Sequence, residues 1–313
     1  MVPRAEFRSY YGRPVLKPPV WEWKIPAYLF TGGLSAGAAL LAAGADLTAR
    51  PRLRRAGRVG GFAALLVSMY LLVADLGLAR AVPPHDEGRQ AELTDVRGHL
   101  DPHRLRARQR AGGHGRDAAR NLARHDAGAA AASGGPSGRL SAALFAPGVA
   151  SYTAVLLSQT AVPAWHDARS ELPFVFTGSA AASAGGLGMV LVPVTEAGPA
   201  RRFAAVGAAA EIVAARLIDR RPGFVTRAYT TGHPHHLRRA SEFLTLAGAV
   251  TALTLARRSR AAAAVGGLAL MAGSVLQRFG TFEAGVTSTK DPAYVVKPQR
   301  ERLDARREER DGE

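Results

Sequence analysis

Two carboxylates in this sequence sit where carboxylates are costly. Glu211 interrupts the small-residue run GAAAEIVAARLID, and Asp75 lies near the end of VGGFAALLVSMYLLVADLGLA. An ionisable side chain inside an apolar segment of membrane length is rare unless it binds, moves or neutralises charge. Both are therefore candidate catalytic groups on a proton path. For Glu211 an internal ion pair that holds helices together is the equal alternative, with Arg216 five residues further on. Glu242 opens another apolar run, a position that favours helix-end capping over chemistry. Near the ends of the apolar runs, Tyr28, Tyr152, Ser158, Trp165 and His166 add hydrogen-bonding groups. A plainer role for the aromatic ones is an interfacial belt, which suits Trp21, Trp23 and Trp165.

Missing residue types narrow the chemistry. The chain has no cysteine, which excludes disulfides, thiolate zinc sites, iron–sulfur ligation and c-type haem attachment within it. Of nine histidines, His85, His99, His103, His114 and His125 fall in one polar stretch, and His166, His233, His235 and His236 in expected loops. No apolar run then offers paired axial ligands for a membrane-embedded haem. The cluster GHPHH at 232–236 has no carboxylate arranged beside it, so a surface facing lipid headgroups is favoured over a metal site. No metal ligands are assigned.

These groups need helices to position them. The hydrophobic share of 47% is gathered into blocks of Ala, Leu, Val and Gly, and a spanning helix needs about 20 mostly apolar residues. Ile25–Leu47, Val59–Ala79, Leu140–Val162 and Leu172–Val194 meet that length, while Phe203–Ile218, Phe243–Ala256 and Ala261–Leu276 are shorter. Gly33 and Gly37, like Gly57 and Gly61, stand four apart, a spacing that lets helix backbones approach closely in lipid. A soluble Ala-rich bundle is the alternative, but Leu172–Val194 lacks the polar stripe such a helix needs.

The net charge of +16 would suggest nucleic acid in a soluble domain. Here the arginines lie between apolar blocks, in ARPRLRRAGR (49–58), DRRPG (219–223) and ARRSR (256–260), the pattern of loops that meet lipid headgroups. No nucleic-acid partner is expected, and the bilayer is. Residues 1–24 form a polar, aromatic arm and not a cleavable signal, residues 25–280 a helical domain, and residues 281–313 a charged, solvated tail. The expected fold class is all-α, a polytopic transmembrane helix bundle with seven candidate spans.

One stretch does not fit. HDEGRQAELTDVRGHLDPHRLRARQRAGGHGRDAARNLARHD (85–126) is dense in Arg, His and Asp, with no apolar periodicity. On either side of it, RSYYGRPVLKPPVWEWKIPAYLFTGGLSAG (8–37), YTAVLLSQTAVPAWHDARSELPFVFTGSAAASAGG (152–186) and FEAGVTSTKDPAYVVKPQRER (282–302) resemble the NrfD family, close to its PsrC group. Those are membrane subunits of polysulfide-reductase-type complexes. They usually have eight spans, and after DLG, here residues 75–77, they carry a segment like KPxSPMSVGTW that this chain lacks. Codons compatible with residues 79–106, read one base later, permit PARFHHMTKVAKPSSPMSVGTWILTAYG. We therefore read residues from about 78 to the 130s as translated out of frame, with a genuine polar insertion as the alternative. A sequencing error and a real pair of compensating indels give the same protein sequence.

The resemblance implies a membrane-anchor subunit that exchanges electrons with menaquinone or ubiquinone in a bacterial cell membrane. Its implied partners are a four-cluster ferredoxin-like iron–sulfur subunit and a molybdopterin catalytic subunit, and its members generally lack haem. Two-electron quinone reduction takes up two protons, so a pocket needs donors to both carbonyls beside an apolar slot. Tyr28, Tyr152, Ser158, Trp165 and His166 are the pocket candidates. The family's site among the first helices favours Tyr28 and Asp75 over Glu211. A small-molecule or ion transporter with Glu211 as coupling residue is the reading from another class, although no internal repeat supports it.

Overall fold

The computed structural model describes residues 15–17, 19, 21–81 and 136–311. The polar stretch at 85–126 lies outside them. The described residues form helices and no strand: α1 (Lys24–Leu47), α2 (Pro51–Ala81), α3 (Pro136–Ser158), α4 (Pro163–Asp167), α5 (Leu172–Leu191), α6 (Gly198–Asp219), α7 (Arg227–Thr230), α8 (Gly232–Leu253), α9 (Arg260–Lys290) and α10 (Ala293–Asp311), with a 3₁₀ turn at Leu255–Arg257. Each of the seven apolar runs falls mainly in a long helix, three of them running three or four residues past its end, and the described residues are all-helical. Four helices, α1, α2 to Asp75, α5 and α9, are long and apolar enough to cross a membrane. α6 and α8 fall short of that because they carry charges along their length.

Local sequence sets the ends. Proline occupies the first turn of α4, α5 and α6, where its missing N–H costs nothing. Ser259 caps α9, its hydroxyl accepting from the Ala262 N–H at 3.2 Å. A short turn joins α1 to α2 through Ala49 at φ 52°, a left-handed conformation uncommon outside glycine. Arginines close the far end of α5: Arg260 donates to the carbonyls of Met189 (2.6 Å) and Val190, and Arg201 to that of Val194 (3.1 Å). These are last-turn and post-helix carbonyls that have no partner within the helix.

Three helices extend beyond the apolar runs. α2 starts at Pro51, so the arginines at 52–58 lie on its first turns and not in a loop. α8 starts at Gly232, which places His233, His235 and His236 in its first turns rather than in a loop. α9 runs on to Lys290, and Phe282, Ala284, Ser288 and Thr289, expected in the tail, are buried. The rest of the tail is helical as α10, exposed from Gln299 onward.

Sequential neighbours α1/α2, α5/α6 and α8/α9 pack most extensively, and α5 lies at the centre against α1, α3, α6 and α9. Small residues make this possible. A Cβ on Gly37 would lie 2.4 Å from the Ala180 carbonyl oxygen, one on Gly178 2.6 Å from the Glu211 nitrogen, and one on Gly186 2.6 Å from the Gly267 carbonyl oxygen. Other large apolar side chains face outward. Val59, Phe62, Leu66, Tyr70 and Val73 form an exposed stripe along α2, and Val206, Val213 and Leu217 do so on α6. A small-residue interior with a large aliphatic exterior is the arrangement that suits lipid, not water.

Candidate functional site

At the α1 start, Ile25 and Leu29 join Leu157, Val162, Trp165, Phe176 and Phe282 in the largest apolar cluster, against which Tyr28 packs. Tyr28 on α1, Asp75 on α2 and Tyr152 on α3 are electrostatic neighbours there, with Lys24 and Glu22 beside Asp75. All three are partly buried, and among the described residues none makes a hydrogen bond through its side chain. Among the described residues, two phenols and one carboxyl thus lie without a side-chain partner at one end of the bundle, next to an apolar surface.

The other candidates are already committed. Trp165 is fully buried, donates its Nε1–H to the Thr281 carbonyl at 2.8 Å and lies between Trp21 (centroids 5.6 Å apart) and Phe282 (5.8 Å). It is a core residue and neither a belt residue nor a ligand donor. A Cβ on Gly285 would overlap its indole at 2.0 Å, so the ring occupies a groove that glycine leaves. The Ser158 hydroxyl donates back to Val155 at 2.8 Å, while the Ser158 carbonyl faces His166 Nδ1 at 3.1 Å. These groups fix the α3–α4 corner. Tyr229 on α7 reinforces it by donating to the Ala164 carbonyl at 2.9 Å, and burial pushes its phenol well above the ordinary range, so it stays protonated as a donor.

Glu211 belongs to a second polar group. It is 2% exposed on α6, and neither carboxylate oxygen has a hydrogen-bond partner. Arg216 does not pair with it. Arg216 reaches across to Glu242 on α8 at 2.5 Å, and Arg239 adds a 3.4 Å contact to the same carboxylate. Glu242 lies inside α8, ion-paired, so the capping role falls away. The countercharge near Glu211 is Arg278 on α9, 1% exposed. Its Nη2 donates to the Phe176 carbonyl at 2.9 Å and its guanidinium carbon lies 3.7 Å from the Phe176 ring centroid. Sequence reasoning missed Arg278 because it follows the seventh apolar run, in QRFGTFEAG. Its isolation between small and apolar residues was the available signal.

No family model, curated protein or solved structure matches the chain. Function is therefore argued from these two polar groups. Among the described residues no three His, Asp or Glu side chains converge as metal ligands.

Proposed function

We propose that the chain is a multi-pass subunit of a bacterial cell membrane that exchanges electrons and protons between a quinone and an iron–sulfur partner, as the NrfD-like segments imply. The observation that carries this reading is the grouping of Tyr28, Asp75 and Tyr152 beside the apolar cluster at the α1 start. Two phenol donors suit two quinone carbonyls, a carboxyl can relay a proton, and the apolar surface suits an isoprenoid tail. A bound menaquinone or ubiquinone would supply the two-electron chemistry, and this chain the binding groups and the proton route. Seven long helices of at least 20 residues support seven spans here, and the resemblance implies an eighth in the anomalous segment. The exposed helix α10 is a surface on which the four-cluster ferredoxin-like subunit or the molybdopterin subunit could dock.

Reconstituted protein titrated with a short-chain quinone tests the site. Tyr28→Phe and Asp75→Asn should each weaken binding about tenfold, the loss of roughly one hydrogen bond, while Ser158→Ala should leave it unchanged. Binding that neither Tyr28→Phe nor Asp75→Asn alters, or no saturable binding to the wild type, would refute the assignment. In that case the transporter reading, which draws on the buried Glu211, takes precedence.

A further inference from the structure

The interior between α5, α6, α8 and α9 holds polar atoms that the quinone site does not use. Beside the two Glu211 oxygens, Ser179 Oγ, Thr245 Oγ1, Gln277 Nε2 and Arg278 Nε and Nη1 are all buried without a hydrogen-bond partner. These residues are at most 3% exposed and come from four different helices. A buried polar atom left unpaired costs about 1–3 kcal/mol, and interior water bonding about three groups is the usual remedy. A crevice joins this group to the surface. Its outer lining is Arg216, Asp219 and Arg239, all exposed, and its inner lining is Ser241, Thr245 and Gln277, all buried, with Glu211 at the end.

The charges along the crevice narrow the ion that would use it. Glu242 is held by Arg216 and Arg239, and Asp219 by Arg238, whose Nη groups also donate to the Tyr229 and Ala215 carbonyls while its Nε is buried without a partner. His235 also lines the crevice. Three arginines stand against three carboxylates in the lining, and the two outer carboxylates are already taken by arginines, which leaves Glu211 without a second free carboxylate to hold a metal cation. α5 contributes no titratable residue, Arg278 on α9 is the charge that acts on Glu211, and Arg238 on α8 is a second buried arginine in the crevice lining.

We propose that this crevice is a proton entry path that ends at Glu211, with hydroxyl and amide side chains ordering the water and Arg278 as countercharge to the ionised state. The carboxylate takes a proton from water entering the crevice to become the neutral acid and later gives it up to water, and no electron moves in that step. The inference rests on the proton-path reading of Glu211, and its test needs no quinone, so it fails separately from the Tyr28 site.

The test is infrared difference spectroscopy of the full chain in lipid nanodiscs, between acidic and alkaline buffer. Wild type should show a neutral carboxylic-acid carbonyl band on acidification, lost in Glu211→Gln and kept in Glu196→Gln, in the turn before α6. Thr245→Val keeps the shape and removes a crevice hydroxyl, so transfer into D₂O should shift the Glu211 band several-fold more slowly. A band that survives Glu211→Gln, that exchanges at the wild-type rate in Thr245→Val, or that follows sodium concentration instead of pH overturns the proposal. Should Glu211→Gln fail to fold, carbodiimide labelling of wild type decides. The label belongs on the peptide holding Glu211, and its absence there has the same force.

Discussion

Arg278 is a guanidinium enclosed by a protein interior, with one donor on the Phe176 carbonyl, its plane over the Phe176 ring and Glu211 as its counterpart. Spacing alone suggested Arg216 for that role, yet five residues turn a helix by roughly 140° beyond a full revolution and point the side chain to another face. Arg216 accordingly meets α8, and the partner of Glu211 comes from sixty-seven residues further along the chain. Removing one member of a buried charge couple leaves the other without compensation. Arg278→Met should lower the stability of the purified protein by about 3 kcal/mol, and Glu211→Gln in the same chain should restore most of it. Chemical unfolding in detergent measures both, and additive losses in the double variant would show that the two charges act independently.

The helices themselves are joined by backbone proximity more than by interlocking large side chains. Gly37 brings α1 onto α5 at a distance no Cβ tolerates, whereas nothing lies within 4 Å of a Cβ placed on Gly44 seven residues later on the same helix. Gly37→Val should therefore cost at least 2 kcal/mol, on the order of an overpacked core. Gly44→Ala should gain about 0.5–1 kcal/mol by restricting the unfolded chain. Equal effects from the two would place the α1–α5 contact elsewhere. The existence of the seven long helices was legible from apolar run length. Their starts and ends were not, because Arg52–Arg58, His233–His236 and Phe282–Lys290 look like loop or tail by composition. Arg is a good helix former, and a backbone ladder once begun continues through polar residues.

For the molecule as a whole, the outward stripe of Val59, Phe62, Leu66, Tyr70 and Val73 on α2 needs either lipid or another helix over it. Sequencing the gene from an independent sample across residues 70–145 should return one continuous frame that encodes an apolar segment with SPMSVGTW. Confirmation of the sequence as it stands would remove a main support for the proposed quinone function.

The sequence alone determined that this is a helical, cysteine-free chain with blocks long and apolar enough to cross a membrane, since run length and residue type are local properties. It also singled out Glu211, Asp75 and Tyr28, because an ionisable or hydroxyl group in an apolar run is visible without coordinates. Only the tertiary structure separated Trp165 and Ser158, whose polar atoms are consumed by Thr281 and Val155, from Tyr28 and Tyr152, whose phenols are not. It alone matched Glu211 with Arg278 and Arg216 with Glu242. Which charges meet depends on how helices far apart in sequence are rotated against each other, and close contacts at Gly37, Gly178 and Gly186 set that rotation.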